Sequence, residues 1–194
     1  MADTSAPGRL AGVPVLLVED EAQLRDFLRE VLAYAGALIT TASSAREVLP
    51  LISVADVIVT ELLMPGEDGL WLLAQVEQSP HPVPVVLVTS VADRSDLTGA
   101  KFARVVRKPV EHRHLCGAIW AAVMETRVAH AVLANFPYAY CFTCLASQLG
   151  LSEREVREAA LLFVVVRDGV GLDRRVCPAC GRIETLLVSE KPRA

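Results

Sequence analysis

The stretch VTELLMPGEDGL, residues 59–70, sets a short apolar run directly against a carboxylate, Glu61. That run, Val57–Thr60, has four counterparts: Val13–Val18, Ala37–Thr41, Val83–Thr89 and Ala103–Arg107. All are short, rich in Val, Ile and Leu, and do not alternate in polarity, which predicts strands buried on both faces. Between the first two, Leu24, Phe27, Leu28, Val31 and Leu32 fall on one helical face. Ser44-Ala45-Arg46-Glu47 has the Ser-x-x-Glu form of a capping box and predicts a second helix, which Pro50 should end or kink early. Strands alternating with helices predict an α/β, doubly wound, five-stranded parallel sheet, with its ligand site at the carboxyl ends of the strands.

The polar residues at those ends are Glu19 and Asp20 after the first strand, Glu61 after the third, Thr89 and Ser90 after the fourth, and Lys108 before Pro109 after the fifth. With LLVEDE, ELLMPGEDG, LVTS and VRKP in this order, residues 12–125 resemble the receiver domain of two-component response regulators, a flavodoxin-like fold. The resemblance implies that Glu19, Asp20 and the carbonyl of Leu63 would contact Mg²⁺, a hard cation that takes oxygen ligands. Thr89 and Lys108 would contact phosphoryl oxygens, and Glu61 stands at the phosphoacceptor position, where the family carries an aspartate.

Glutamate carries its carboxylate about 1.5 Å farther along the side chain than aspartate, and in-line attack tolerates little misplacement. The expectation is a pseudo-receiver regulated without phosphorylation, in which Glu61 reaches Lys108 or Thr89 and holds them as a phosphoryl group would. A receiver that kept only its fold, and one with residual phosphorylation, are the alternatives. Two further departures from the family point the same way. Val105 stands at the switch position, where an aromatic is usual, and the interval from Thr89 to Lys108 is some three residues short, about one helical turn. The fourth helix is therefore expected to be shortened or irregular, with residues 92–99 partly loop.

The chain has 194 residues and a formal net charge of −4. The acidic excess falls in residues 1–110, which hold nine basic and fourteen acidic residues, and residues 131–194 hold eight and seven. Neither balance announces nucleic acid by charge alone. Residues 1–11 are expected to be disordered. The apolar run Val13–Val18 is too short for a signal peptide or membrane span, which predicts a cytoplasmic protein with no membrane partner. Reduced thiols follow, so the five cysteines read as metal ligands or buried thiols rather than disulfides.

From Glu111 to Asn135 apolar residues recur at helical spacing with a single glycine, Gly117. One long helix is predicted, closing the first domain and continuing through residues 126–136 as a connector. An apolar edge on it would suit a homodimer. Beyond lie Cys141-x-x-Cys144 and Cys177-x-x-Cys180, with 32 residues between the pairs. Paired C-x-x-C turns can aim four thiolates at one tetrahedral structural Zn²⁺, and Gly181 suits the second turn. Cys116 lies outside this set and reads as a buried helix residue. Redox chemistry at the C-x-x-C pairs is the one foothold for an enzyme, and zinc-bound sulfurs would not supply the accessible thiolate it needs, so the expectation is a non-enzyme.

Residues 145–157 read as two helices joined at Leu149-Gly150-Leu151, with Ser152 and Glu155 as a capping box. They resemble helix-turn-helix sequences of transcription factors. Leu161–Arg167, Arg174–Val176 and Ile183–Val188 read as strands of a wing, so residues 137–190 are expected to form a small α+β, zinc-binding, winged-helix-like output domain. Arg154, Arg157, Arg174 and Arg175 are the candidate DNA contacts, set against Glu153, Glu155 and Glu158. Two functions stay open: transcriptional control through DNA, or an adaptor binding a protein partner such as a kinase or sigma factor.

Overall fold

The computed structural model describes residues 8–91, 97, 99–135, 138–166 and 170–189. By its internal contacts the chain divides into two compact units, Met1–Val123 and Met124–Ala194.

In the first unit β1 (Pro14–Val18), β2 (Leu38–Ala42), β3 (Val57–Thr60), β4 (Val85–Thr89) and β5 (Arg104–Arg107) form one sheet in the order β2-β1-β3-β4-β5. Every neighbouring pair is parallel. Outward growth from β1 in both directions puts a switch point between β1 and β3, where ligands sit in sheets of this type. One face of the sheet, including Leu16, Val18 and Ile58, packs against Val48, Ile52, Leu72, Leu73 and Val76. The alternate side chains Val15, Leu17, Val57 and Val59 are equally buried, so both faces are covered over the inner strands, whereas β2 and β5, also expected to be buried, are edge strands with mostly exposed or half-exposed side chains. The helices α1 (Ala22–Tyr34), α2 (Gly69–Glu77) and α3 (His112–Ala134) complete the regular elements of this part of the chain.

The expected second helix differs in kind. Arg46–Val54 is a 3-10 helix that runs through Pro50, since proline lacks the N–H that an α-helical ladder needs. Its start also differs: Ser43 bonds Glu47 through its Oγ at 2.8 Å and its amide at 3.0 Å, and the N-cap residue is Ala45, with no side-chain cap. Within the segment expected to be disordered, Leu10 is fully buried and its amide donates to Ala35 O at 2.9 Å, while residues 1–7 lie outside the described residues. So do Ala92–Asp96 and Thr98, where the shortened fourth helix was expected.

The boundary between the units falls inside α3, which places Cys116 among its buried residues. Then follow β6 (Tyr140–Cys141), α4 (Phe142–Leu149), α5 (Glu153–Val166), β7 (Val170–Val176) and β8 (Ile183–Ser189). The sheet order is β6-β8-β7, antiparallel throughout. The order of elements is thus helix, short strand, two helices and a hairpin whose second strand pairs back to the short strand. Gly150 closes α4 in the left-handed conformation, φ 66°, which glycine adopts without strain. The Ser152–Glu155 capping box forms, with Glu155 Oε2 at 2.7 Å from Ser152 Oγ. The strand expected over Leu161–Arg167 is instead the second half of α5, as far as Val166. Its β-branched residues gave a strand signal, but continuation of an already capped helix overrides that propensity.

Candidate functional site

Backbone bonds that continue the sheet past the strand ends set the site residues in place. The Glu61 amide donates to Val18 O at 3.1 Å, that of Glu19 to Ala42 O at 3.2 Å, and that of Lys108 to Thr89 O at 2.9 Å. Lys108, on the last strand's exit, thus comes to face two carboxylates: its Nζ lies 3.0 Å from Glu19 Oε2 and in direct contact with Glu61 Oε2. The carboxylate side chains are 3% and 8% exposed and the lysine 20%, so this is a nearly buried charge triad. Glu61 Oε1 accepts from the amides of Leu62 at 2.6 Å and Leu63 at 3.4 Å. Both oxygens of the acceptor-position side chain are therefore engaged.

Burial lifts Glu19 above the ordinary carboxylate range despite the lysine beside it. For Lys108 burial is the largest single influence and pulls down, but bonds to Glu61 and Glu19 together outweigh it and raise the ammonium. Thr89 is fully buried, and its Oγ1 accepts from the Val91 amide at 3.2 Å within its own loop. Asp20 is exposed, and Val105, on β5, is half exposed.

Two residues not marked by the sequence reading shape the site. Gly69 opens α2 so close to the acceptor turn that a Cβ there would stand 2.5 Å from Glu61 O. Arg25 reaches back from α1, donating to the carbonyls of Glu19 at 2.7 Å and Asp20 at 3.2 Å. Gly69 was visible as the last letter of ELLMPGEDG, whereas nothing local in the sequence sets Arg25 apart from Arg29, the other basic residue of α1.

The family model that matches, over residues 15–120, is the response regulator receiver domain. The chain belongs to that family. Among solved structures the receiver is similar to a response regulator receiver domain protein from Clostridium thermocellum, at 26% identity and TM-score 0.55, covering 60% of this chain and 98% of that one. The Francisella response regulator 1452 receiver domain matches in fold, at 23% identity and TM-score 0.54, over 59% of this chain and 99% of that one. Among curated relatives, an uncharacterized 14.6 kDa protein in the sodA1 3′ region of Leptolyngbya boryana is 32% identical over 53% of this chain and 83% of its own length. The probable transcriptional regulator ycf27 of Guillardia theta is 31% identical over 59% of this chain. The DNA-binding transcriptional regulator NtrC of Salmonella typhimurium is 37% identical over 41% of it. The chain spans only 47% and 17% of those last two proteins.

Receivers imply Mg²⁺ among their acidic residues, but the arrangement here does not fit it. The Lys108 ammonium already contacts both Glu19 and Glu61 and offsets one of their two charges, and Asp20 faces solvent. Among the described residues, the one group of three or more potential ligands whose donor atoms converge is Cys141, Cys144, Cys177 and Cys180.

Those four sulfurs lie within 4.8 Å of one another. Cys141 and Cys180 are 3.8 Å apart, as are Cys144 and Cys177. A regular tetrahedron with zinc–sulfur bonds of ~2.3 Å has edges of about 3.8 Å, so the set fits zinc. Strand β6 delivers Cys141, the first turn of α4 delivers Cys144, and the turn between β7 and β8 delivers the second pair. That turn is closed by the Gly181 amide on Cys177 O and the Cys177 amide on Arg182 O, both 2.8 Å, with Gly181 at φ 73°. Burial pushes the Cys144 thiol up to about 12. Burial also works against ionisation of Cys177, but the amides of Cys141, Cys180 and Ala179 outweigh it and bring that thiol to about 6. A ready thiolate at neutral pH is the form a metal takes.

The candidate DNA-contacting arginines are at the surface and mostly paired within the chain. Arg154 bonds Glu158 at 2.8 Å. Arg157 bonds Glu153 at 2.7 Å and stacks on the Phe142 ring at 4.5 Å. Arg175 contacts Asp173, and Arg174 is exposed beside it on β7. No described helix is long and apolar enough to cross a membrane.

Proposed function

We propose that this chain is a response regulator whose receiver, residues 12–125, works without phosphorylation of Glu61. Its zinc-bearing C-terminal unit, residues 137–190, delivers transcriptional control by binding DNA. The observation that carries the first part is the Lys108 ammonium held by Glu19 and Glu61. A phosphoryl group would have to displace that contact and be attacked by a carboxylate set about 1.5 Å too far forward. Glu61 thereby occupies the lysine without phosphate. Thr89, bonded to Val91, supports a receiver held in one state more than a full imitation of the phosphorylated one. Four cysteine thiolates would hold Zn²⁺ and tie β6, α4 and the β7–β8 turn together, as a stabilising rather than catalytic metal.

The transcriptional part is supported by the winged-helix-like order of elements and by the naming of the ycf27 and NtrC relatives as transcriptional regulators. A second reading, an adaptor for a protein partner, is favoured by α5. Its exposed face carries Glu153, Glu155 and Glu158 against Arg154 and Arg157, both already paired, a poor surface for phosphates.

The test of the first part is intact mass after incubation with acetyl phosphate and Mg²⁺. The natural chain stays unmodified, while Glu61→Asp gains one phosphoryl group if the surrounding site is otherwise competent. Phosphorylation of the natural chain on Glu61 overturns the proposal. Salt-dependent retention on DNA, against co-purification of a protein partner at high salt, separates the two outputs.

A further inference from the structure

Strand β7 is an edge strand of the second sheet, the longer of its two, and its side chains from Leu172 to Val176 are all exposed. We propose that this edge pairs antiparallel with β7 of a second copy of the chain, joining the two hairpins into one continuous sheet about a two-fold axis at Arg174. The inference is independent of whether phosphate or DNA is bound.

Its basis is that the strand is complementary to itself. A two-fold axis perpendicular to a sheet keeps each side chain on its own face, and side chains alternate faces along a strand. A residue can therefore lie opposite only another an even number of positions away, which leaves registers centred on 172 to 176. Centring on Asp173 sets aspartate against aspartate and Leu172 against Arg174. Centring on Arg175 sets arginine against arginine and Arg174 against Val176. Centring on either strand end leaves most of the edge unpaired. Centring on Arg174 also sets one arginine against its own copy at the axis, but it alone offsets that like-charge contact with matched pairs, Asp173 against Arg175 of the other copy and Leu172 against Val176 of the other copy, each twice.

The exposures fit that register. Leu172 and Val176 are 43% and 57% exposed, large apolar side chains left in water on one face. On the other face Asp173 already contacts Arg175 of its own strand, so pairing would make a four-membered array of alternating charge. Charges on an edge strand ordinarily block strand addition. Here the antiparallel register converts two of the three into matched pairs, and the remaining Arg174 side chains sit either side of the axis. The partner is therefore a second copy rather than an unrelated strand, because an arbitrary partner would not supply Val, Arg, Arg, Asp and Leu in that order.

The experiment uses the full-length chain in sedimentation equilibrium over its accessible concentration range. Each substitution acts twice about the axis, so Asp173→Arg weakens self-association about tenfold or more. Asp173→Arg with Arg175→Asp restores it, since the pair is exchanged rather than lost. Arg174→Cys under mild oxidation gives a peptide linked 174 to 174, because directly opposed Cα atoms lie about 4.5–5.5 Å apart, within disulfide reach. Leu172→Cys gives no self-link, its copies standing on the order of 14 Å apart. A monomer at every concentration, self-association indifferent to both charge changes, or linking at 172 as readily as at 174 overturns the proposal.

Discussion

Replacing Lys108 with methionine keeps most of the aliphatic stem and removes the ammonium from two carboxylates that are 3% and 8% exposed. Removing one partner from a buried pair ordinarily costs about 3–5 kcal/mol. Because Lys108 keeps a fifth of its surface in water, solvent screening brings this to about 2–3 kcal/mol at pH 8. The two tryptophans, Trp71 and Trp120, both lie in the first unit, so thermal unfolding followed by tryptophan fluorescence reports the receiver alone. The expected loss in Tm is roughly 10 °C for a unit of this size. The pH dependence carries the sharper test. Burial already holds Glu19 above its ordinary 4.5, and Lys108 is the chief group pulling it back down, so its removal lets the carboxyl rise further. A carboxyl with a raised folded pKa binds more protons folded than unfolded, so its contribution is present below 4.5 and lost as pH rises through the folded value. Lys108 itself, raised above 10.5, contributes across the whole interval and is lost only at higher pH. The deficit of Lys108→Met should therefore be small at pH 5 and grow towards pH 8. A deficit equal at both pH values, or larger at pH 5, refutes the assignment of Lys108 as the neutralising cation of this pocket.

Elemental analysis should find one zinc per chain, and a strong chelator should abolish far-ultraviolet signal from the second unit while tryptophan fluorescence from the first persists. Structural zinc contributes about 10–16 kcal/mol of apparent binding free energy, against about 3–5 kcal/mol from so small a core alone; unchanged helicity after complete metal removal would show that the cysteines do not hold the unit together. Gly69→Ala should destabilise the receiver by about 1–3 kcal/mol, because the added Cβ meets Glu61 O at 2.5 Å and Leu62 Cα at 3.1 Å, both backbone atoms that cannot rotate away. A fluorescence-monitored loss below about 0.5 kcal/mol would mean the acceptor turn yields freely.

Sequence legibility followed the range of the interactions. The three inner strands β1, β3 and β4 were readable because burial on both faces writes itself as runs of Val, Ile and Leu, and the observed strand Val57–Thr60 has the bounds the sequence indicates. The site positions followed, since each polar residue comes directly after such a run. What stayed hidden was three-dimensional. Nothing along the chain says that Arg25 turns back onto the Glu19 and Asp20 carbonyls, or that Lys108 meets both glutamates at once. Local signals also misled where two of them competed. Ser44 and Glu47 stand at capping-box spacing, yet Ser43 also bonds Glu47, and the helix begins after Ala45 with no side-chain cap. The run of valines after Leu161 has strand propensity, yet it extends a helix already nucleated at Ser152 and Glu155.

The paired arginines of the second unit bear on its output in a way that their pairing alone does not decide. Surface ion pairs are worth about 0–1 kcal/mol, so a phosphate could replace Glu158 at Arg154 or Glu153 at Arg157 with little loss. The carboxylates would remain beside it, however, and α5 would still present three of them. The hairpin is better placed: Arg174, Arg175 and Arg182 are all exposed there, against Asp173 and Glu184. If β7 pairs with its copy, Asp173 is drawn to Arg175 across the axis while the two Arg174 side chains are brought together without a carboxylate between them. Like charges at that spacing favour an anion in their midst. If the chain binds nucleic acid as proposed, the dimer edge and a phosphate contact would then reinforce each other, and substitution of Arg174 should weaken DNA retention more than substitution of Arg154 or Arg157 on α5.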